Sequence, residues 1–334
     1  MKLLKAAAVS LIGFAGLGSV TSYAQTPIVM KLGTATINDA QHEWMKVFAK
    51  IVDQNSKGRI KVEIYPASQL GQSPRMIEQT QLNAIQGLVG PPEFLSGVDP
   101  RFQILSSPGL FKDLPHANRV LQDPTFNKAF LALGAKKGLK GLGLFISGPF
   151  VFVMRKPVEK LSDFDGRKVR VLAAPLQLEQ VRTMHMTPVP MPLGDVMPAL
   201  QQGTIDGVMS CTPVFAALKF YDAAKYLVET DHGLIAAETI ISKIWFDRLP
   251  KDLQDVVEKA GKQASEEIYQ FSVDDINRGR EKWKANGGTI VKLPPDQEAK
   301  LMSELVPVGP RVTSSNAGEK ELYDILKAAV DRNK

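Results

Sequence analysis

From Pro250 to about Lys284 the chain carries Leu253, Val256, Val257, Ala260, Ala264, Ile268 and Phe271 at a near-helical period, with no proline inside the run. Thirty-odd helical residues at about 1.5 Å each make a rod of roughly 50 Å. A single domain core has no use for a helix of that length. A coiled coil would, but the apolar seam is not a clean heptad and no partner run exists elsewhere in the chain. The reading that remains is a helix laid across two domains. Chain length agrees, because 334 residues exceed the usual size of one hydrophobic core.

The N-terminus reads as an export signal. Lys2 and Lys5 precede a small, apolar stretch from Ala6 to Val20, and Ser22-Tyr23-Ala24 forms a cleavage tripeptide. The apolar run is short for a membrane span. Residues 1–24 are therefore assigned to a leader, and the mature chain is expected to be exported and soluble. Its single cysteine, Cys211, rules out an intramolecular disulfide framework. The formal charge is +6, and removing Lys2 and Lys5 leaves 39 basic against 35 acidic residues, or +4. The basic residues are scattered, which argues against a nucleic-acid surface.

Strand and helix signals alternate from the start. Ile28, Met30 and Leu32 share one face of a strand, and Asn38-Asp39 can cap the helix marked by Trp44, Val47, Phe48, Ile51 and Val52. Ile60, Val62 and Ile64 make a second strand, and Ser73-Pro74 opens a helix that is expected to reach about Gln86. This is the rhythm of a parallel sheet. A Pro- and Gly-rich stretch follows, then a helix over His116 to Leu133 and a strand over Leu139 to Ile146. Around Ser147-Gly148-Pro149 a second lobe is expected to begin. There Val151 to Met154, Val169 to Leu172 and Ile205 to Met209 read as strands, and Leu176 to Met184 and Asp195 to Gln202 as helices. Leu322, Ile325, Leu326 and Val330 give the C-terminus a helical apolar stripe.

Within Asp163-Phe164-Asp165-Gly166-Arg167-Lys168-Val169-Arg170-Val171, one cation, Arg170, sits inside a short apolar strand. Pro188-Val189-Pro190-Met191-Pro192 and Ala199-Leu200-Gln201-Gln202-Gly203-Thr204-Ile205-Asp206-Gly207 follow. With the Gly58 to Gly71 stretch, Met76 to Leu82, Lys219-Phe220-Tyr221 and Ile241-Ser242-Lys243, this order resembles the solute-binding proteins of tripartite ATP-independent periplasmic transporters. The resemblance covers most of the mature chain. It implies an α/β fold of two lobes joined by crossing strands, a long helix spanning both, and a ligand enclosed when the lobes close. It also implies a periplasmic protein of a Gram-negative cell that hands an organic acid to integral membrane transporter subunits. Neither a cofactor nor a metal is expected, and the protein is expected to be a monomer. Lobe I is assigned to 25–146 with 235–272, lobe II to 147–234 with 273–310, and 311–334 to a C-terminal helix.

In that family the arginine matching Arg170 clamps the ligand carboxylate. A guanidinium suits the task because its rigid fork pairs bidentately with a carboxylate. Its neighbours Val169 and Val171 face the other side of the strand. Two departures from the family pattern shape the expected ligand. Phe150 stands where many members have a second arginine, and Val208-Met209-Ser210-Cys211 replaces the usual Gln-Glu-Asn-Pro, which puts Ser210 at an asparagine position. Leu193 likewise replaces a common phenylalanine. Polar capacity is traded for apolar surface, so the expected ligand is a monocarboxylate with an apolar or aromatic body. The competing reading makes Phe150 and Phe152 core residues. Further lining candidates are Thr34 and Thr36 at the end of the first strand, His42, Pro91 and Phe94, Phe215, and Glu238, for which a solvated carboxylate is the bland alternative. Trp44 fits the core equally well.

Enzymatic chemistry finds little support. Cys211 lacks any recognised hydrolase signature around it and reads as a small buried thiol. His42, His116, His185 and His232 show no metal-ligand spacing, and Gly138 to Gly148 lacks the Lys-Ser/Thr ending of a phosphate loop. Two other roles fit the same fold: a periplasmic ligand-sensing partner of a membrane receptor, and the binding protein of an ATP-driven importer.

Overall fold

The computed structural model describes residues 26–334, so the expected leader lies outside the described residues. Chain order runs β1 (Ile28–Thr34), α1 (Ala40–Ser56), β2 (Ile60–Tyr65), α2 (Ser73–Gln81), β3 (Gly87–Gly90), α3 (Leu114–Leu121), α4 (Pro124–Leu131) and β4 (Leu139–Met154). It continues through β5 (Lys168–Val171), α5 (Pro175–Thr183), β6 (Thr187–Pro190), α6 (Val196–Gln202), β7 (Gly207–Ser210), α7 (Thr212–Ala217) and β8 (Tyr226–Ser242). Last come α8 (Lys243–Asp247), α9 (Lys251–Ala285), β9 (Thr289–Lys292), α10 (Pro295–Leu305), α11 (Val308–Thr313) and α12 (Ala317–Arg332).

The strands form one sheet in the order β2-β1-β3-β8-β4-β7-β5-β6, with β9 beside the start of β8. β1, β2 and β3 run parallel in one lobe, and β5, β6 and β7 run parallel in the other. The long antiparallel pair β4 and β8 passes through both and makes the crossing strands of the two-lobed fold. Register shifts between Ile146 and Gly148 and between Pro149 and Val151 mark the crossing, where Gly148 takes φ +153. The Ser147-Gly148-Pro149 punctuation thus bends one continuous strand; it does not end it.

Buried side chains fall into two cores per lobe. On lobe I, one face packs Trp44, Phe48, Leu142, Phe145 and Ile241 against the first half of α9, and the other packs Phe102, Phe126 and Phe130 under α12. On lobe II, Phe150, Phe152, Phe164, Val169 and Val171 share a core with Leu301 and Leu305, while Phe215, Phe220 and Trp283 form another with the end of α9. The 35-residue α9 therefore contributes to a core in each lobe. It approaches β4 so closely that a Cβ on Gly143 would lie 2.9 Å from the Gly261 carbonyl oxygen, and one on Gly261 would lie 2.8 Å from that of Leu142. Glycine at both positions is what allows the contact.

Local rules account for most boundaries. Asp39 caps α1 by accepting from the His42 amide at 3.1 Å, and Lys57 and Gly58 end it in the left-handed region. The expected 116–133 helix is two, because Asp123 caps a new start at Pro124. The helix opened at Ser73 stops at Gln81, short of Gln86, since Asn83 turns left-handed and β3 begins at Gly87. At the C-terminus, α11 packs on α5 of lobe II and α12 crosses back to lobe I. There the His116 ring meets the Val330 carbonyl at 3.0 Å and Arg332 pairs with Asp123 at 2.8 Å.

Candidate functional site

A cavity opens between the lobes at the C-terminal ends of their parallel strands, the usual ligand position in open α/β sheets. It holds about 470 Å³ of space that no atom fills, part of it open to solvent. Lobe I supplies Thr36, Gln41, Ser73, Pro91 and Phe94, and lobe II supplies Arg170, Leu172, Gln177, Leu193, Met209 and Ser210. Hydrogen bonds draw the lobes together beside it. Gln103 Oε1 accepts from the Leu176 amide at 2.8 Å, and Gln180 Nε2 donates to the Ser106 carbonyl at 2.7 Å.

Arg170 is only 2 % exposed. Strand alternation sends Val169 and Val171 into the lobe II core and turns Arg170 to the cavity. Its Nε donates to the Met191 carbonyl at 3.0 Å, and its buried Nη2 has no partner among the described residues. Burial, with no acid beside it, pulls the guanidinium down to about 10. That still leaves it charged at neutral pH. Arg170 is therefore a buried cation whose counter-charge the described residues do not supply, an arrangement that is costly until an anion arrives.

Of the residues singled out from the sequence, Arg170, Ser210, Leu193, Pro91, Thr36 and Phe94 meet at this cavity. The others lie behind or away from its wall. Thr34 is fully buried and donates to Gln41 Oε1 at 3.1 Å, so it supports a lining residue. His42 sits on α1, its Nδ1 accepting from the Asn38 amide at 3.2 Å. Phe150 is fully buried and stacks on His232 with ring centres 5.3 Å apart. Phe215 packs on Phe220 at 5.2 Å and near Trp283 at 6.4 Å. Trp44 is also fully enclosed, donating to Ser265 Oγ at 3.0 Å. Cys211 is a buried thiol pushed up to about 12 by that burial.

Glu238 departs from both sequence readings. It is neither solvated nor on the wall, because β8 turns it into lobe I, where both carboxylate oxygens lack a partner among the described residues. Burial first, and then the nearby Glu93 charge, raise it well above the carboxylate range. Glu93 accepts from Ser106 Oγ, and burial lifts it to about 7. A raised folded value means that stability is full below the unfolded value of 4.5 and is lost as pH rises through about 7. Buried His232, lowered to about 3, works in the opposite sense below 6.5, so the effect of Glu93 is read from a difference. Glu93→Gln keeps the acceptor for Ser106 and removes the titration. Its stability relative to the parent is expected to rise by roughly 3 kcal/mol between pH 4 and pH 8 in urea unfolding. A pH-independent difference would contradict the assignment.

Sequence reasoning missed Gln41, Ser73 and Gln177. Each occupies the first turn of a helix that follows a parallel strand, and that placement was the available signal.

A family model described as bacterial extracellular solute-binding protein, family 7, matches residues 33–315. The 2,3-diketo-L-gulonate-binding periplasmic protein YiaO of Escherichia coli K12 is 26% identical over 279 residues, covering 83% of this chain and 85% of its own. A periplasmic solute-binding protein of Xanthobacter autotrophicus Py2 from the tripartite transporter class, solved with bound β-D-galacturonate, superposes with a TM-score of 0.83. It is 26% identical, and the match covers 90% of this chain and 99% of that one. A Desulfovibrio salexigens protein of the same class, solved with orotic acid, shares the fold with a TM-score of 0.87 at 24% identity over 92% of this chain and 99% of that one. With two lobes, crossing strands and a family match over most of its length, this chain belongs to the bacterial extracellular solute-binding proteins of family 7, the binding components of tripartite ATP-independent periplasmic transporters.

Proposed function

We propose that this protein captures a monocarboxylate with an apolar or aromatic body in the periplasm and delivers it to the membrane subunits of its transporter. The observation that carries the reading is Arg170: a buried, unpaired guanidinium in an interlobe cavity. A ligand carboxylate would supply the missing counter-charge and accept from the fork. Arg170 is the one charged side chain among the lining residues, which supports a single negative charge on the ligand. Leu172, Leu193, Met209, Val214, Ile235 and Phe94 give the rest of the wall its apolar character. The relatives solved with orotic acid and with galacturonate hold acids, in keeping with the charge argument. The lobes bring together walls that neither forms alone, so binding and closure are one event.

A thermal-shift screen of the mature chain tests this against aromatic and branched monocarboxylates, dicarboxylates, neutral sugars and amines. A ligand at 100 times its dissociation constant stabilises by about 2.7 kcal/mol. The expected result is a selective monocarboxylate hit. A hit confined to dicarboxylates, sugars or amines would overturn the reading.

A further inference from the structure

Two carboxamides face the cavity, Gln41 from lobe I and Gln177 from lobe II. They are 2 % and 1 % exposed. The Gln177 amide is oriented by a backbone donor, and the Gln41 amide meets two hydroxyls. Gln177 Oε1 accepts from the Leu172 amide at 3.0 Å. A backbone N–H can only donate, so the oxygen is fixed there and Nε2 is turned away from it. That Nε2 has one long contact, 3.4 Å to Ser106 Oγ, whose own proton goes to Glu93. Gln41 Oε1 accepts from Thr34 Oγ1 at 3.1 Å. Thr34 Oγ1 in turn accepts from the Thr36 amide at 3.4 Å and lies 3.3 Å from Thr36 Oγ1, whose own proton goes to Asp39 at 2.9 Å, so Gln41 Oε1 is the nearer of two acceptors for the Thr34 proton. Gln41 Nε2 reaches Ser147 Oγ only at 3.5 Å. Both amide oxygens are thus spent inside the wall, and both amide nitrogens have hydrogens to give. Arg170 Nη2 adds a third uncommitted donor, and among the described residues no carboxylate lines the cavity.

We infer that Gln41 and Gln177 form a carbonyl-reading subsite, so that the ligand is a carboxylate with a nearby oxo group, as in a 2-oxo acid. A keto oxygen brings lone pairs and no hydrogen, and it can accept from both amides at once. A hydroxyl must also place its own proton. A methylene leaves two desolvated N–H groups without an acceptor. Because one amide comes from each lobe, the same oxygen helps hold the closed form. The inference rests on the monocarboxylate reading above and adds the second polar group.

Calorimetric titration with matched triplets separates the two. The probes are 4-methyl-2-oxopentanoate, 2-hydroxy-4-methylpentanoate and 4-methylpentanoate, together with phenylpyruvate, 3-phenyllactate and 3-phenylpropanoate. In at least one triplet the oxo acid is expected to bind about tenfold or more tighter than the unsubstituted acid, with the hydroxy acid between them. Gln177→Met and Gln41→Met should each shrink that ratio to about threefold or less, whatever they do to the affinity of the unsubstituted acid, because structural damage alone would weaken all three acids of a triplet together and leave the ratio intact. Gln177→Glu, which keeps the acceptor for Leu172, should weaken the oxo acid most. Equal binding within every triplet, or an oxo preference that survives all three variants, would overturn the subsite and leave the monocarboxylate reading standing. Failure of all six acids to bind, with the wider screen giving only dicarboxylate, sugar or amine hits, would overturn the reading itself, and the subsite with it.

Discussion

Arg170→Ala protein is expected to bind no ligand at concentrations that saturate the parent. Truncation would leave the ligand carboxylate desolvated in a closed cavity with no cation to meet it. Removing one partner of a buried charge pair costs about 2–5 kcal/mol, which is roughly 30- to several-thousand-fold in affinity. The unliganded protein should behave differently. Among the described residues Arg170 is a buried cation held by one hydrogen bond to Met191 O, with Nη2 unpaired. Deleting it relieves a desolvation cost, so the melting temperature without ligand should be no lower than that of the parent. Calorimetry checks both halves. Arg170→Lys keeps the charge but loses the fork, and it should recover only part of the affinity. An Arg170→Ala protein that binds normally, or one that unfolds without ligand, would show that Arg170 serves the fold and not the ligand.

The largest stability loss is expected at Trp44. Its ring is stacked against Phe48 at 4.9 Å and Phe145 at 5.8 Å, its indole N–H donates to Ser265 Oγ, and it is fully buried where α1, α9 and β4 meet. Trp44→Ala empties that junction and should cost about 3–5 kcal/mol in urea unfolding, the usual range for a buried tryptophan. The preference among ligands should not change, because Trp44 does not line the cavity. An altered ligand ranking with unchanged stability would place Trp44 on the wall after all.

These two residues also show what the sequence makes legible. Trp44 and Arg170 each sit in a regular element whose period is plain, 3.6 in α1 and 2 in β5; the period turns Arg170 out of the core, while Trp44 was open to cleft or core until its stacking on Phe48 and Phe145 placed it in the core. The long helix was readable for the same reason. Elements that depend on distant partners were harder. β3 is four residues long, Gly87–Gly90, and becomes a strand only because β1 and β8 flank it. β8 carries Glu229, Asp231, His232 and Glu238, so its apolar alternation is broken, although all but Asp231 are buried. Its burial comes from β4 on one side and from β3 and β9 on the other, long-range pairings that no local window contains.

The site divides along the same line. Arg170, Ser210 and Leu193 were readable from motif position and Pro91 from its place in a loop expected to face the cleft, and all four lie at the cavity. Phe150 illustrates how position can mislead, since the bend at Gly148 and Pro149 reorients the following strand and His232 takes up its ring face. Gln41 and Gln177 went unread because a glutamine in a first helical turn is ordinary. Their significance comes from the Thr34 hydroxyl and the Leu172 amide, which fix their orientation and belong to the folded state alone.

The most direct test of the central claim compares one acid with its own amide. Once the screen has identified the tightest monocarboxylate, that compound and its primary carboxamide are titrated into the parent protein by calorimetry. The pair matches in size and shape and differs in the charge that Arg170 is held to read. The acid is expected to bind at least about a hundredfold tighter than the amide, the difference expected of a buried charge pair over a neutral hydrogen bond. Equal affinities would mean that the buried guanidinium does not recognise a carboxylate.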